Sequence, residues 1–361
     1  MKIMHVVSAR QLRGAEVFAL QLAQCFEALG HQVLMVGLYT YDTPKLPTGS
    51  IRFLELNCKK KGFSVQATSR LNSVIREFKP DIIQANAGDT LKYTVMSRAL
   101  YRWSGPIVFR NASMVSLYLK SPLSRLFNNW LYRNVDAIAS VTAATMHDLA
   151  GLFPHVEGKI SVIPIGIVAG EIQVVARKPF QIIHIGGFSF EKNHSGLLRI
   201  FYSVRRKVPG ATLVLVGDGP LKSSIEQEVR HLGLSDCVEF TGAVANPTPH
   251  LLESSVLVLP SIIEGLPGVI LEAFYYKTPV VAYDVGGIGD IVENDVTGKL
   301  ITKGDEEGFA EAVRAVLGQQ PESFMAMTES AHLKVVENYT VERMANAFLT
   351  LYTKLLSKKK Q

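Results

Sequence analysis

Short runs of β-branched and aliphatic residues recur at 3–7, 33–36, 51–56, 81–84, 107–110 and 137–141, and between them apolar residues return at helical spacing. Strand-length runs alternating with amphipathic stretches predict a parallel sheet covered by helices. The rhythm restarts at 181–185, 212–216, 238–241, 256–259, 279–283 and 299–302, which predicts a second sheet. Ile163-Pro164-Ile165-Gly166 ends a strand in a Pro/Gly turn and residues 168–179 follow neither period, which places a hinge there. The expected fold class is therefore α/β: two Rossmann-like doubly wound domains facing a cleft, the first over 1–168 and the second over 169–339. Helical patterns at 305–317 and 322–337 close the second domain. Thr340 is suited to cap a last helix through Leu356, with Glu342 near its start and Lys354 near its end, and this segment (340–357) is expected to pack back on the first domain.

Composition narrows the function classes. A chain of 361 residues with 47% hydrophobic and 19% charged residues is neither disordered nor fibrous. Its net charge of +6 is uneven: residues 1–170 hold 19 basic against 10 acidic residues, and the remainder 19 against 22. An excess of +9 followed by −3 points to an anionic partner for the first half, a membrane surface or a phosphorylated ligand. No Arg-rich recognition helix or zinc-finger spacing supports nucleic acid. Cys25, Cys58 and Cys237 are widely spaced and signal neither a disulfide framework nor a zinc site, which fits a reducing cytosol. The opening apolar run is too short for a signal peptide, and no run reaches the roughly 18 residues of a membrane span. The expected location is cytoplasmic, with any membrane contact peripheral at the inner face.

Open α/β sheets bind ligands at the carboxyl ends of their strands, where loops enter helix N-termini. After the first strand, Arg13-Gly14-Ala15-Glu16 opens a helix with Val17, Leu20, Leu22 and Phe26. Gly14 there either admits an anion to free helix amides or belongs to a plain turn in which Glu16 complements the helix dipole. The run 181–185 leads into Gly186-Gly187-Phe188-Ser189-Phe190-Glu191-Lys192-Asn193-His194. Asn193 is placed to cap the next helix, so that Lys192 and the helix amides converge on one phosphate; otherwise Lys192 is an ordinary surface lysine. Gly217-Asp218-Gly219-Pro220 follows the next strand, with Pro220 suited to a first helical turn.

The most informative segment is Pro260-Ser261-Ile262-Ile263-Glu264-Gly265-Leu266-Pro267-Gly268-Val269-Ile270-Leu271-Glu272. A hydrophobic strand enters a glycine-containing loop, Pro267 starts a helix that carries Glu272, and Glu264 is expected at the cleft mouth. An anion on the amides at Gly268, with a carboxylate for hydroxyl groups, suits a nucleotide sugar; the competing reading leaves both glutamates as solvated or capping charges. Gly286-Gly287-Ile288-Gly289 follows the next strand, and three successive glycine loops on one edge disfavour chance.

Glu264 and Glu272 with seven residues between them, preceded by Glu191-Lys192-Asn193-His194 and Gly217-Asp218-Gly219-Pro220 and followed by Val285-Gly286-Gly287, resemble the retaining nucleotide-sugar glycosyltransferases of family 4, which have the GT-B fold. The resemblance spans nearly the whole chain, dense over 181–302 and looser over 1–165, where Gly14-Ala15-Glu16 is the main match. It implies that Lys192 binds the donor diphosphate, that Glu264 lies near the donor sugar and that Glu272 binds the ribose, with Lys192 and Glu264 as the catalytic pair. The implied donor site also includes Gly14, Gly186, Gly187, Gly217, Val244, Gly265, Leu266, Pro267 and Gly268. The implied reaction moves a sugar from a nucleoside diphosphate to an acceptor hydroxyl with retention, in cell-surface polysaccharide or glycolipid assembly. Two departures stand out. Gly187 occupies a position where many relatives have arginine, and Gln84-Ala85-Asn86 and Arg110-Asn111 stand where first-lobe histidines are common. Asn86, Arg110 and Asn111 are the candidate acceptor-side residues. Arg110 either supplies charge missing at Gly187 or is a structural arginine paired within the first domain.

The chain has no Asp-x-Asp carboxylate pair, so no metal and no cofactor is expected; Lys192 and a helix dipole take the place of a divalent ion. The expected partners are a nucleotide sugar, a glycan or lipid-linked acceptor and an anionic membrane surface. Ser121 can cap a helix begun by Pro122, whose Leu123, Leu126, Phe127, Trp130 and Leu131 form one stripe with Arg125 and Arg133 off it. This is a core-facing helix or, with Tyr118, Leu119 and Lys120, a membrane-edge element. Lys59-Lys60-Lys61 is a solvated loop or adds to the same field, and Lys358-Lys359-Lys360 reads as a solvated end. A same-fold sugar-nucleotide epimerase and a glycan-binding protein without catalysis remain as alternatives. A dinucleotide oxidoreductase lacks its GxGxxG turn.

Overall fold

The computed structural model describes residues 1–41, 45–58, 64–119, 121–170, 175–318 and 324–358. Lys59 to Lys61, Lys120, Glu322, Lys359 and Lys360 lie outside the described residues. The chain divides into two compact units, Met1–Val168 with Val341–Gln361, and Ala169–Thr340.

Unit 1 is built on a parallel sheet of seven strands: β1 (Lys2–Ala9), β2 (Gln32–Tyr39), β3 (Arg52–Cys58), β4 (Ile82–Ala85), β5 (Ile107–Asn111), β6 (Ala137–Ser140) and β7 (Ile160–Val162). Their spatial order is β3-β2-β1-β4-β5-β6-β7, so the chain winds outward from β1 in both directions. Helices α1 (Gly14–Ala28), α2 (Val65–Phe78), α3 (Gly88–Tyr101), α4 (Pro122–Arg133) and α5 (Ala143–Leu152) form the connections. Residues of β1, β2, β4, β5 and β6 are buried almost throughout, because helices cover both faces. That is why these strands read as continuous apolar runs rather than as alternation.

The last helix, α13, covers Val341–Lys358 and belongs to unit 1, the seven described α-helices before it to unit 2. The Val341 amide donates to the Ile167 carbonyl at 2.9 Å. Tyr352 is fully buried with its ring 5.9 Å from that of Phe26 in α1. Its hydroxyl donates to Gln84 Oε1; Gln84 Nε2 donates to Asn86 Oδ1 at 2.8 Å, and Asn86 Nδ2 to the Val6 carbonyl at 3.2 Å. A relay of buried amides thus keys the terminal helix to β4 and β1. Adding this helix sharpens the charge asymmetry: unit 1 holds 24 basic and 11 acidic residues (+13), unit 2 holds 14 and 21 (−7).

Helix α4 starts as expected, with Ser121 accepting from the Ser124 amide and Pro122 in the first turn. Its stripe, however, faces outward. Leu123 is 79% and Leu126 66% exposed, and Phe127 and Trp130 stack on one another while more than a third exposed. The helix meets the core through Leu131 and Tyr132 instead. The core-facing reading therefore holds for Leu131 and fails for the other four residues of the stripe.

Unit 2 repeats the plan with β8 (Gln181–Ile185), β9 (Thr212–Val216), β10 (Val238–Gly242), β11 (Val256–Leu259), β12 (Val280–Tyr283) and β13 (Lys299–Ile301), all parallel and ordered β10-β9-β8-β11-β12-β13. Its helices are α6 (His194–Lys207), α7 (Lys222–His231), α8 (Thr248–Glu253), α9 (Gly268–Tyr275), α10 (Ile288–Ile291), α11 (Glu306–Gly318) and α12 (Met325–Asn338). Pro220 falls in the turn before α7, not within its first turn. Among the described residues no helix is long and apolar enough to cross a membrane.

Removing the Tyr352 hydroxyl strands a buried amide oxygen on Gln84, a loss of about 1–3 kcal/mol. Tyr352→Phe should therefore lower the thermal midpoint of the full chain while leaving its secondary structure unchanged by circular dichroism. An unaltered midpoint would show that the relay does not anchor α13.

Candidate functional site

Each sheet has one point where the strand order reverses, and the crevice at the carboxyl ends there is the natural ligand position of such a fold. In unit 2 it lies between β8 and β11. The loops leaving these two strands carry Lys192 and Glu264, and the structure brings the pair together: Lys192 Nζ is 2.6 Å from Glu264 Oε1. Both side chains are largely buried, at 21% and 10% exposure.

Backbone bonds between loops produce this juxtaposition. Lys192 closes a short 3-10 turn, and the Glu191 carbonyl in that turn accepts from the Ile262 amide at 2.8 Å. Asn193 follows in a left-handed conformation (φ 54°, ψ 45°) and its Nδ2 donates to the Pro260 carbonyl at 3.0 Å. It stands at the cap position of α6 but makes no side-chain cap there, contrary to the expectation from its residue type. Its amide is instead a strut to the neighbouring loop.

Two glycines are required by the same packing. Gly217 has φ +143°, and a β-carbon on it would stand 2.1 Å from the Gly186 carbonyl oxygen. Gly286 has φ +59°, and a β-carbon there would stand 1.9 Å from the Glu264 carbonyl oxygen. The adjacent Gly287 amide donates to the Gly265 carbonyl at 2.8 Å. Gly186 leaves room for the Lys192 stem, whose Cδ lies 3.3 Å from the position a β-carbon would take. Gly187 is different: it is exposed, and a β-carbon on it would come no nearer than 3.5 Å to the Asp218 carbonyl oxygen, so the fold does not demand a glycine there.

Beneath Lys192 lie two histidines to which the motif assigned no role. His194 stacks on Phe188 with ring centroids 4.1 Å apart and meets His184 edge-on at 4.8 Å. His184 Nδ1 is 2.9 Å from the Val258 carbonyl, so this nitrogen carries the proton. Burial, and then the neighbouring Lys192 charge, hold His194 at a pKa of about 4; burial and then His194 hold His184 well below its usual value. Both rings are neutral at physiological pH. A histidine within an apolar strand gives no sequence signal that distinguishes this floor from ordinary core.

Pro267 occupies the N-cap of α9, which begins at Gly268 and carries Glu272 at its fifth position. Burial alone raises the Glu272 carboxyl to about 7. Gly265 and Leu266 are half-buried in the connecting loop, while Val244 is half-buried beyond β10, two strands away from β8. Among the described residues no group of three His, Cys, Asp or Glu is placed to hold a metal ion.

In unit 1 the order reverses between β1 and β4. Gly14 is the first residue of α1, and nothing lies within 4 Å of the position a β-carbon would take there. Glu16 is buried and accepts from Gln11 Nε2 at 3.1 Å; burial raises its carboxyl above the usual range. The three acceptor-side candidates separate. Asn86 is engaged in the relay to Tyr352, and Asn111 Nδ2 donates to Ser140 Oγ and the Thr145 carbonyl, so both amides hold the sheet. Arg110 is 3% exposed with Nε and Nη1 lacking any hydrogen-bond partner. Its guanidinium lies 4.7 Å from the centroid of the Phe18 ring, and burial lowers its pKa to about 10 despite the influence of Glu16.

Two family models match the chain, one on each unit: "Glycosyltransferase Family 4" over residues 12–170 and "Glycosyl transferases group 1" over residues 179–319. Over 241 residues the chain is 26% identical to an uncharacterized glycosyltransferase of Methanocaldococcus jannaschii, a match covering 61% of this chain and 59% of that protein, less than two thirds of its length. Over 288 residues it is 26% identical to a glycogen synthase of Mycobacterium tuberculosis, covering 77% and 69%. The solved structure of Anabaena HepE in complex with UDP and glucose has a TM-score of 0.82 at 18% identity over 98% of this chain and 100% of that one, a likeness of fold. Both family models, together spanning most of two parallel α/β units, place this chain among the glycosyltransferases of the family 4 type, with the GT-B fold.

Proposed function

We propose that the protein transfers a sugar from a nucleoside diphosphate to an acceptor hydroxyl with retention at the anomeric carbon, in the assembly of a cell-surface polysaccharide or glycolipid. The observation that carries this reading is the meeting of Lys192 and Glu264 at the β8/β11 reversal point, 2.6 Å apart, on the loop that leads to the α9 N-terminus. UDP and glucose in the HepE structure support a nucleotide-sugar donor.

In this reading, negative charge grows on the departing diphosphate. Lys192 and the first amides of α9 are fixed donors for it, Glu264 accepts from donor-sugar hydroxyls, and Glu272 accepts from the ribose. The departing phosphate oxygen takes the acceptor proton, so no separate base is needed and the reaction is independent of a divalent metal. On unit 1 Arg110, whose Nε and Nη1 lack hydrogen-bond partners, is the acceptor-side residue best suited to an anionic group.

The acceptor is proposed to be lipid-linked. The exposed stripe of α4 with Leu117 and Tyr118, flanked by Arg125 and Arg133 in a unit of charge +13, suits the inner face of an anionic bilayer. Each basic residue near such a surface contributes about 1 kcal/mol, so binding is reversible and salt-sensitive.

Three outcomes test this. Loss of one preorganised donor to a growing anion costs about 2.7–4 kcal/mol of barrier. Lys192→Ala should accordingly reduce turnover a hundredfold or more in an assay whose wild-type rate EDTA leaves intact; near-normal turnover refutes the role. Glu272 has a folded pKa raised to about 7 from 4.5, so the stability it contributes is complete below 4.5 and is lost as pH rises through 7. Glu272→Gln should gain thermal stability over wild type between pH ~5 and ~8 while binding the donor more weakly at the higher pH. Finally, Leu123→Ser/Leu126→Ser should abolish flotation with phosphatidylglycerol vesicles without lowering the thermal midpoint; salt-insensitive flotation with neutral lipid would contradict the membrane assignment.

A further inference from the structure

The Lys192–Glu264 pair poses a problem for the roles assigned to its members. A lysine whose task is to hold a diphosphate is already neutralised in the free protein by the carboxylate whose task is to hold the sugar. Largely buried ion pairs are not idle surface contacts, because neither charge has water enough to replace its partner. The two backbones cannot separate to relieve the pairing. The Lys192 turn is tied to Pro260 and Ile262, and the Glu264 carbonyl lies against Gly286 with its neighbour Gly265 bonded to Gly287. Only the side chains can part. The two imidazoles beside Lys192 carry no charge to share, and Gly187 offers none.

We propose that Glu264 acts as a built-in competitor for Lys192, displaced when donor binds and recapturing the lysine after transfer, so that it drives release of the nucleoside diphosphate. This rests on the nucleotide-sugar reading of the site. With intact donor present, Glu264 exchanges the ammonium for sugar hydroxyls, and the diphosphate takes the ammonium. Once the sugar has left with the acceptor, Glu264 has lost those hydroxyls. It then stands as a bare carboxylate within reach of Lys192 and of a diphosphate of its own sign. At the effective dielectric of a partly buried site, like charges about 4 Å apart repel by several kcal/mol before relaxation. The product complex is therefore destabilised relative to the donor complex by the same side chain that favours the donor. A glutamate that served the sugar alone would have no effect on the affinity of a ligand lacking sugar.

The test is calorimetric titration of inorganic pyrophosphate, and of a panel of nucleoside diphosphates including UDP and GDP, into the full-length protein and its variants. Glu264→Gln should bind pyrophosphate and the accepted nucleoside diphosphate about tenfold more tightly than wild type, with product inhibition strengthened in step. Lys192→Met should bind them more weakly, and adding Glu264→Gln to it should bring clearly less tightening than in the wild-type background, because competition for the lysine is gone and only the repulsion between carboxylate and diphosphate is left to relieve; equal tightening in both backgrounds overturns the competition for Lys192. Glu264→Asp, whose shorter carboxylate retracts from Lys192, should fall between wild type and Glu264→Gln, and it serves as the reading if the glutamine variant fails to fold. Unchanged or weaker diphosphate binding in the folded Glu264 variants overturns the proposal while leaving the donor assignment standing. A folded wild-type protein that binds neither pyrophosphate nor any nucleoside diphosphate overturns the donor assignment and the proposal together.

Discussion

A β-carbon at position 286 would stand 1.9 Å from the Glu264 carbonyl oxygen, and the glycine there lets the loop after β12 lie directly on the loop after β11. That contact fixes the Glu264 backbone on one side. On the other, Asn193 and Glu191 bond to Pro260 and Ile262 and fix the turn that carries Lys192. Three loops are thus laced by main-chain and amide bonds into one rigid rim at the reversal point of the sheet. The backbone of these loops is preorganised by that lacing, and only the side chains of Lys192 and Glu264 are left to rearrange.

The rim also decides what kind of electrostatics the site has. Its floor is a stack of Phe188, His194 and His184, apolar or neutral at physiological pH, so it adds no positive charge to that of Lys192. Lys192 itself disfavours protonation of both rings. Overall charge plays little part here, because unit 2 is net acidic at −7. The charge available at this position is local, one largely buried ammonium paired with Glu264, and burial limits its screening.

Unit 1 distributes its charge differently. Its excess of +13 is long-range and salt-sensitive, and it accompanies an amphipathic helix whose apolar stripe is presented to the outside. Within the same unit, Arg110 retains two buried nitrogens without partners next to Phe18 and a desolvated Glu16. Burying a guanidinium in this way opposes folding, a cost that the Phe18 ring and the Glu16 carboxylate offset in part.

The strand pattern was legible because parallel strands covered on both faces leave uninterrupted aliphatic runs, and the observed boundaries of β8, β9 and β11 coincide with those runs. The placement of Lys192, Glu264 and Glu272 was equally legible, since strand-loop-helix order puts the first two on loops at the carboxyl ends and Glu272 one turn into the helix that follows. Other features had no one-dimensional signature. A helical stripe has the same periodicity whether it meets a sheet or the outside, so only the structure shows Leu123 and Leu126 exposed while Leu131 is buried. Gly217 and Gly286 look in sequence like room for a ligand, yet they are required by carbonyls 31 and 22 residues away along the chain. Asn86 and Asn111 resemble ligand-binding amides, but Val6, Gln84, Ser140 and Thr145 already engage them. Periodicity and local motif follow from neighbours in sequence, which determined the fold class and the strand-to-helix loops that carry Lys192 and Glu264. Orientation, pairing and the availability of each polar group depend on contacts between distant segments, and those the tertiary structure alone decided.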